Sequence, residues 1–336
     1  MKGLKILLVL VFVIGFGLVV AAFTMGLDFD EITNYLNDDE AYGEEIIYDT
    51  TEVIDAFDIK VDTRHIVFEK HSGTNIRIRY HEHEDKDTWT IIEENGILSI
   101  EQDEKTLWLI FWPKLTTRSL KTLYIALPDG ISFDFDIQTG TGDVSLEMEQ
   151  VESHGDILLN SGTGDVNIEN VDVNELDVSL STGNVSLVNV NIDSNLIANS
   201  NTGNIHLSSV TALSVELDSN TGEINIDDLT ASSLSANCDT GSISIEGTSI
   251  SGDIILDSST GSIEIQSTTA DGFDISSSTG DVSVSVGTLA LYRLDLKTDV
   301  GVVKVDGVNQ GTTHITTTGS ILIKVRVSTG TITIKA

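Results

Sequence analysis

The chain has 336 residues, of which 53 are acidic and 18 are Lys or Arg, for a formal net charge of −35. Charge of that sign repels nucleic acid and anionic headgroups and keeps a chain soluble, which excludes a DNA- or RNA-binding role. A single cysteine, Cys238, excludes an internal disulfide and any cysteine-based zinc cluster, so packing and backbone pairing have to hold the fold.

At the N-terminus, Lys2 and Lys5 precede an uncharged apolar run from Ile6 to Leu27, and Asp28, Asp30 and Glu31 follow it. A run of about 22 residues is long enough to cross a bilayer. Lysines before it and carboxylates after it place the N-terminus in the cytoplasm and everything beyond Leu27 outside. Residues 1–27 are therefore expected to be a single-pass anchor in the cell membrane. A cleaved signal peptide is the competing reading, since Ala21-Ala22 supplies small residues, but signal cores usually run about 7 to 15 residues.

Residues 28–45 are polar and acidic with little to bury, and read as a juxtamembrane spacer. Residues 46–128 hold short alternating runs such as Asn75-Ile76-Arg77-Ile78-Arg79-Tyr80 and Gly96-Ile97-Leu98-Ser99-Ile100, the pattern of half-buried strands. Trp89, Trp108 and Trp112 all fall in this N-terminal β region.

From 129 to 336 the composition shifts to Ser, Thr, Asn, Asp, Gly, Val and Ile, and a repeat appears: Thr-Gly-x-[Val/Ile]. Its glycines are Gly142, Gly164, Gly183, Gly203, Gly222, Gly241, Gly261, Gly280 and Gly319, with a degenerate copy at Val300-Gly301-Val302. Including that copy, successive glycines are 22, 19, 20, 19, 19, 20, 19, 21 and 18 residues apart, which is a repeat architecture. The second and fourth residues after each glycine are apolar (Ile205 and Leu207, Ile224 and Ile226, Ile243 and Ile245), as are the sixth and fourth before each threonine (Val215 and Leu217, Leu234 and Ala236). Since alternate residues of a strand face opposite sides, each turn contains two strands around a thin apolar interior. Four buried aliphatics cannot offset the ordering of about 20 residues, so one turn cannot fold alone and the turns must stack. The fold class expected is all-β: a parallel β-solenoid of about nine to ten turns.

Several features carry possible chemistry. The Thr-Gly ladder reads as a structural corner, with the threonines, and the serines two residues before them, expected inside; Cys238 occupies the serine slot. Asp143, Asp165, Glu223 and Asp281 share one register and could build a calcium site or a glycosidase acid pair. The same position is Asn or Ser in other copies, and the Gly-Gly-x-Gly-x-Asp pattern of calcium-binding β-rolls is absent, so solvated surface is expected. His81-Glu82-His83-Glu84-Asp85 is the one local cluster with metal-ligand chemistry, His81 and His83 being able to share a strand face. No third or fourth ligand is identifiable, and an exposed polar turn is the reading. No nucleophile elbow, His-Glu-x-x-His or phosphate loop occurs, so no catalytic or cofactor-binding residue and no cofactor is expected.

The alternating N-terminal strands, the Asn95-Gly96-Ile97-Leu98-Ser99-Ile100 and Ile125-Ala126-Leu127-Pro128 runs, and the Thr-Gly-Asp-Val repeats together resemble the bacterial "putative adhesin" domain of unknown function found in LiaG-like proteins. The resemblance covers about residues 50–336. It implies a β-helical extracytoplasmic domain without assigned activity, tied to the cell envelope and sometimes to envelope-stress systems. The function expected is that of a non-enzymatic surface protein for adhesion, interaction or envelope sensing. Its partners would be the membrane, through the N-terminal helix, and an envelope protein or polysaccharide. An enzyme or binding protein for surface polysaccharide and an accessory regulator of a membrane signalling system are the alternatives.

Overall fold

The computed structural model describes residues 38–104, 116–128, 132–152 and 155–336. The expected anchor, most of the spacer, and Trp108 and Trp112 lie outside the described residues. Among those described, no helix is long and apolar enough to cross a membrane. Strand is their dominant structure, with only three short 3-10 turns of helix among the described residues, and the strands form two sheets of 16 and 14 members that face each other across one apolar core.

The repeat makes both sheets at once. In one turn, Ile205–Thr211 lies in the 16-stranded sheet and Ser214–Thr221 in the 14-stranded sheet. Each strand pairs in parallel with its equivalent one turn away: Ile205 opposite Ile224, and Val215 opposite Leu234. Like residues therefore stack in columns about 4.8 Å apart. The inward columns, such as Val185, Ile205, Ile224, Ile243 and Ile263, are buried. Each fully buried aliphatic side chain contributes about 1.5–3 kcal/mol, and only the neighbouring turns above and below complete its burial.

Two inward runs per turn is an undercount. Six residues after the corner glycine the backbone flips into the left-handed region, at Asn170, Asn189, Ser209, Asp228, Gly247 and Ser267 (φ 50 to 62°). Asn, Asp and Gly tolerate this conformation best. The flip opens a third, short side carrying a further inward pair: Val171 and Val173, Val190 and Ile192, Val210 and Ala212, Leu229 and Ala231, all buried. The amides of this second corner also stack, Asn189 Nδ2 donating to Asn170 Oδ1 at 2.7 Å.

Chain order and stacking order diverge at both ends. Ala56–Val61 lies between Ile97–Glu104 and Asp134–Thr141, so the N-terminal β region is built into the same two sheets as the repeats. At the other end, Ile321–Thr329 is inserted between Gly272–Thr279 and Tyr292–Val300, while Ile332–Lys335 lies between Val282–Ser285 and Val303–Val305. This corrects the assignment of Gly319 as a corner. Thr318-Gly319-Ser320-Ile321 copies the corner sequence, but Ile321 opens a strand of the opposite sheet, and the corner falls at Gly330. A Cβ at Gly319 would stand 2.4 Å from the Tyr292 carbonyl carbon, away from the glycine column.

Antiparallel strands close the terminal edges. Asp87–Glu94 covers Ile97–Glu104, and Thr313–Ile315 covers Tyr292–Val300, which blocks addition of a further parallel strand. Under the N-terminal end, Phe57, Phe68, Phe133 and Phe135 pack ring against ring, with centroids 4.9 to 6.5 Å apart. At the same end Arg64, buried together with its ion-pair partner Asp87, lies over the Tyr42 and Trp89 rings.

Candidate functional site

The Thr-Gly corner is a stacked backbone device. From Gly142 to Gly280, and on through Gly330 to Gly301, the corner glycines have φ between 145 and 155°. A Cβ built on Gly222 would lie 1.9 Å from the Gly203 carbonyl oxygen, and the same clash recurs turn after turn. From Gly142 to Gly280 each glycine N–H donates to the threonine carbonyl of a neighbouring turn, as Gly203 does to Thr221 (2.8 Å), and Gly330 donates to the equivalent Val300 carbonyl (2.9 Å). The slot two residues before the threonine faces inward: Ser200 donates to Gly183 O (3.0 Å), Ser219 to Gly203 O (3.1 Å) and Cys238 Sγ to Gly222 O (3.1 Å). Burial raises the Cys238 thiol above its ordinary range.

The threonines themselves point the other way. Thr141, Thr163, Thr182, Thr202, Thr221, Thr240, Thr260, Thr279 and Thr329 are all exposed, which corrects the inward placement given by simple alternation. The strand turns at the threonine, so the period-2 pattern stops one residue earlier.

The residue after each glycine does structural work. Asp143 Oδ1 accepts the Asp165 N–H (2.9 Å), Asp165 Oδ1 the Asn184 N–H (2.8 Å), Asn184 Oδ1 the Asn204 N–H (2.9 Å) and Asn204 Oδ1 the Glu223 N–H (2.8 Å). Asp143 and Asp165 are half-buried rungs of this ladder, not free surface carboxylates. Burial works to raise the Asp143 carboxyl, but the Asp165 N–H and the neighbouring His65 and Arg118 outweigh it and hold it below the usual carboxylate range. His65 Nδ1 accepts the Asp143 N–H (3.0 Å), which a protonated nitrogen could not do. Burial, and then Arg118, push the His65 imidazole below its ordinary value, in agreement with the neutral form.

His81 and His83 do not share a site. His81 Nδ1 is 3.0 Å from Gly43 O, whereas His83 is buried with Nε2 3.2 Å from Asp38 Oδ2, and Lys86 Nζ also reaches Asp38 (2.6 Å). The pair lies in the connection before Asp87–Glu94, where it ties residues 38–43 to the end of the stack. Among the described residues no group of three or more His, Cys, Asp and Glu is placed to hold a metal.

The feature least explained by folding is a groove of about 750 Å³ on the outer face of the 14-stranded sheet, near its N-terminal end. One wall is the hairpin of Asp87–Glu94 and Ile97–Glu104, closed by Asn95-Gly96 with both residues at positive φ (55 and 81°), the tight turn whose twist matches the strands. The hairpin presents Ile92 and Ile97, 48 and 44 % exposed, and the floor presents Leu158, 39 % exposed. Seven carboxylates line it (Asp58, Glu94, Asp134, Asp136, Asp156, Glu175, Asp177) and no Lys or Arg does. From Thr122 to Tyr292 the chain carries 27 Asp and Glu and no Lys or Arg at all. A more polar groove of about 710 Å³, lined by Lys60, Gln138, Asn160 and Ser179, runs alongside on the same strands. Clustered carboxylates are the groups glycoside hydrolysis uses, whereas exposed aliphatic side chains amid polar ones mark a contact surface. None of these groove residues was singled out by the repeat, because outward positions vary from turn to turn and only the fold brings the hairpin beside them.

No curated protein matches the chain. The family described as Toastrack DUF4097 matches residues 54–286. Among solved structures, a "putative adhesin" from Bacteroides fragilis is 16 % identical, with 88 % of this chain and 98 % of that one covered and a TM-score of 0.38. A "putative adhesin" from Parabacteroides merdae is 12 % identical, covering 88 and 97 % with a TM-score of 0.42. A "putative lipid binding protein" from Parabacteroides distasonis is 13 % identical, covering 88 and 97 % with a TM-score of 0.41.

Proposed function

The chain belongs to the Toastrack DUF4097 family, and from that premise we propose that it is a non-enzymatic, membrane-anchored interaction protein of the cell envelope. Residues 6–27 hold it in the membrane, and the stacked sheets present a rigid binding face outside the cell. The observation that carries this reading is the exposure of Ile92, Ile97 and Leu158 together on one sheet face, in a groove whose lining includes seven carboxylates. Lys2 and Lys5 before the apolar run, and the carboxylates after it, support the orientation. The inward columns, the glycine corner and the acceptor ladder are consumed by the stack, which leaves outward side chains to make contacts.

A photo-crosslinking residue placed at Ile92 or Leu158 in cells making the full-length chain tests this directly, with Glu169, exposed on the other sheet, as the control position. The expected result is discrete adducts at 92 and 158, none at 169, and loss of the whole domain when intact protoplasts are treated with protease. Equal adduct patterns at all three positions, or protection of the domain in intact protoplasts, would contradict the proposal. Release of soluble fragments from envelope polysaccharide by the purified protein would favour the enzyme instead.

A further inference from the structure

We propose that the groove is the docking site for a basic, amphipathic α-helical segment of another protein. This rests on the reading of the chain as an interaction protein and names its partner's chemistry.

The argument starts from register. Along the outer face of the 14-stranded sheet, Asp136, Leu158, Asp177, Ile197 and Glu216 are successive neighbours across paired strands, the first three lining the groove and the last two continuing the line beyond it. Acid and aliphatic side chains therefore alternate in a stripe along the stack, about 4.8 Å per step. The carboxylates of that stripe repeat at about 9.6 Å. An α-helix lying along the stack advances about 5.3 Å per half-heptad and 10.5 Å per seven residues. Lys or Arg at i, i+7 and i+14 would then meet Asp136, Asp177 and Glu216, while Leu or Ile at i+3/i+4 and i+10/i+11 would meet Leu158 and Ile197. An extended strand repeats its same-face side chains at about 6.6–6.8 Å and falls out of register within two residues.

Charge selects the partner. Seven carboxylates, of which Asp58 is ion-paired to Lys60 (2.9 Å), with no lining Lys or Arg repel an acidic surface and attract a basic one. A second copy of this chain is a poor fit: near its C-terminus Lys324 is paired with Asp274 (2.8 Å), Arg326 with Asp295 (2.6 Å) and Lys297 with Asp299 (3.0 Å).

The test uses the full-length chain in phosphatidylcholine nanodiscs and a fluorescent 18-residue Lys/Leu peptide patterned as above, read by anisotropy against a peptide of equal composition with the pattern scrambled. The patterned peptide is expected to bind saturably. Asp136→Asn with Asp177→Asn should weaken it by about tenfold or more, and Leu158→Ser should also weaken it, while Glu169→Gln with Asp172→Asn on the other sheet should change it less than about twofold. Equal binding of the scrambled peptide, equal loss from both acid-removing pairs, or no saturable binding would overturn the proposal. So would self-association in the ultracentrifuge that Asp136→Asn with Asp177→Asn abolishes, since the occupant would then be a second copy. Adducts to polysaccharide at Leu158 in cells would defeat this proposal while leaving the interaction reading intact.

Discussion

Replacing Gly222 by alanine tests the stacked corner at its tightest point. The new Cβ would sit 1.9 Å from the Gly203 carbonyl oxygen and 2.5 Å from its carbon, both backbone atoms, at a residue with φ 155°. Relief requires the two turns to separate by more than about 1 Å, against the bonds from Gly203 N–H to Thr221 O (2.8 Å) and Ile205 N–H to Glu223 O (2.9 Å). Unfavourable φ costs about 1–3 kcal/mol and forced overpacking about 1–3 more, so a loss of about 2–6 kcal/mol is expected. Gly287 is the internal control, because nothing stands within 4 Å of its added Cβ and alanine there should be neutral or slightly stabilising. Urea melting followed by circular dichroism compares the two, with midpoints compared directly because repeat arrays need not unfold in one step. A Gly222→Ala loss below about 1 kcal/mol, or no larger than that of Gly287→Ala, would refute the stacked-corner reasoning.

Cys238 is fully buried and its thiol is pushed up by burial, so a thiol reagent should label it slowly in native protein and rapidly in denaturant; fast native labelling would show an open corner. Because the folded His65 value is lowered from 6.5, its contribution to stability is complete above pH 6.5 and is lost as pH falls below it; the lowered Asp143 acts likewise below 3.8. Thermal melting should therefore show a declining midpoint on acidification, and His65→Gln should flatten the part just below pH 6.5 while reducing, but not abolishing, the part below 3.8, which the Asp165 N–H and Arg118 still support; a midpoint that rises through the upper window would contradict this assignment.

The stack is legible in the sequence because its corner demands glycine and its two long faces demand alternation. Val215, Leu217, Ile224 and Ile226 can be placed inside from spacing alone. The third side is hidden because its corner accepts Asn170, Ser209, Asp228 or Gly247 alike, so no single letter repeats; the signal available was Asn, Asp, Ser or Gly six residues after each corner glycine from Gly164 to Gly261. Gly319 misleads because Thr-Gly-Ser-Ile is a local match, whereas the insertion of residues 321–335 between earlier turns is decided by long-range pairing. The groove is illegible for a related reason. Leu158 and Ile197 break the polar outward pattern in single turns, and Ile92 joins them through a hairpin whose place in the sheet depends on strands distant in sequence.

The division of every strand into an inward side that holds the stack and an outward side left for contacts is tested most directly by melting Ile243→Asp beside Ser242→Asp. Ile243 is fully buried between Ile224 and Ile263, so its replacement places an unpaired carboxylate in a thin apolar interior and should cost several kcal/mol. Ser242 occupies the ladder position filled elsewhere by Asp165 and Asp281, whose carboxylates accept the N–H of a neighbouring turn, and aspartate there should cost less than about 0.5 kcal/mol. A large loss for Ile243→Asp alone is the expected result. Equal losses, or a larger loss for Ser242→Asp, would contradict it.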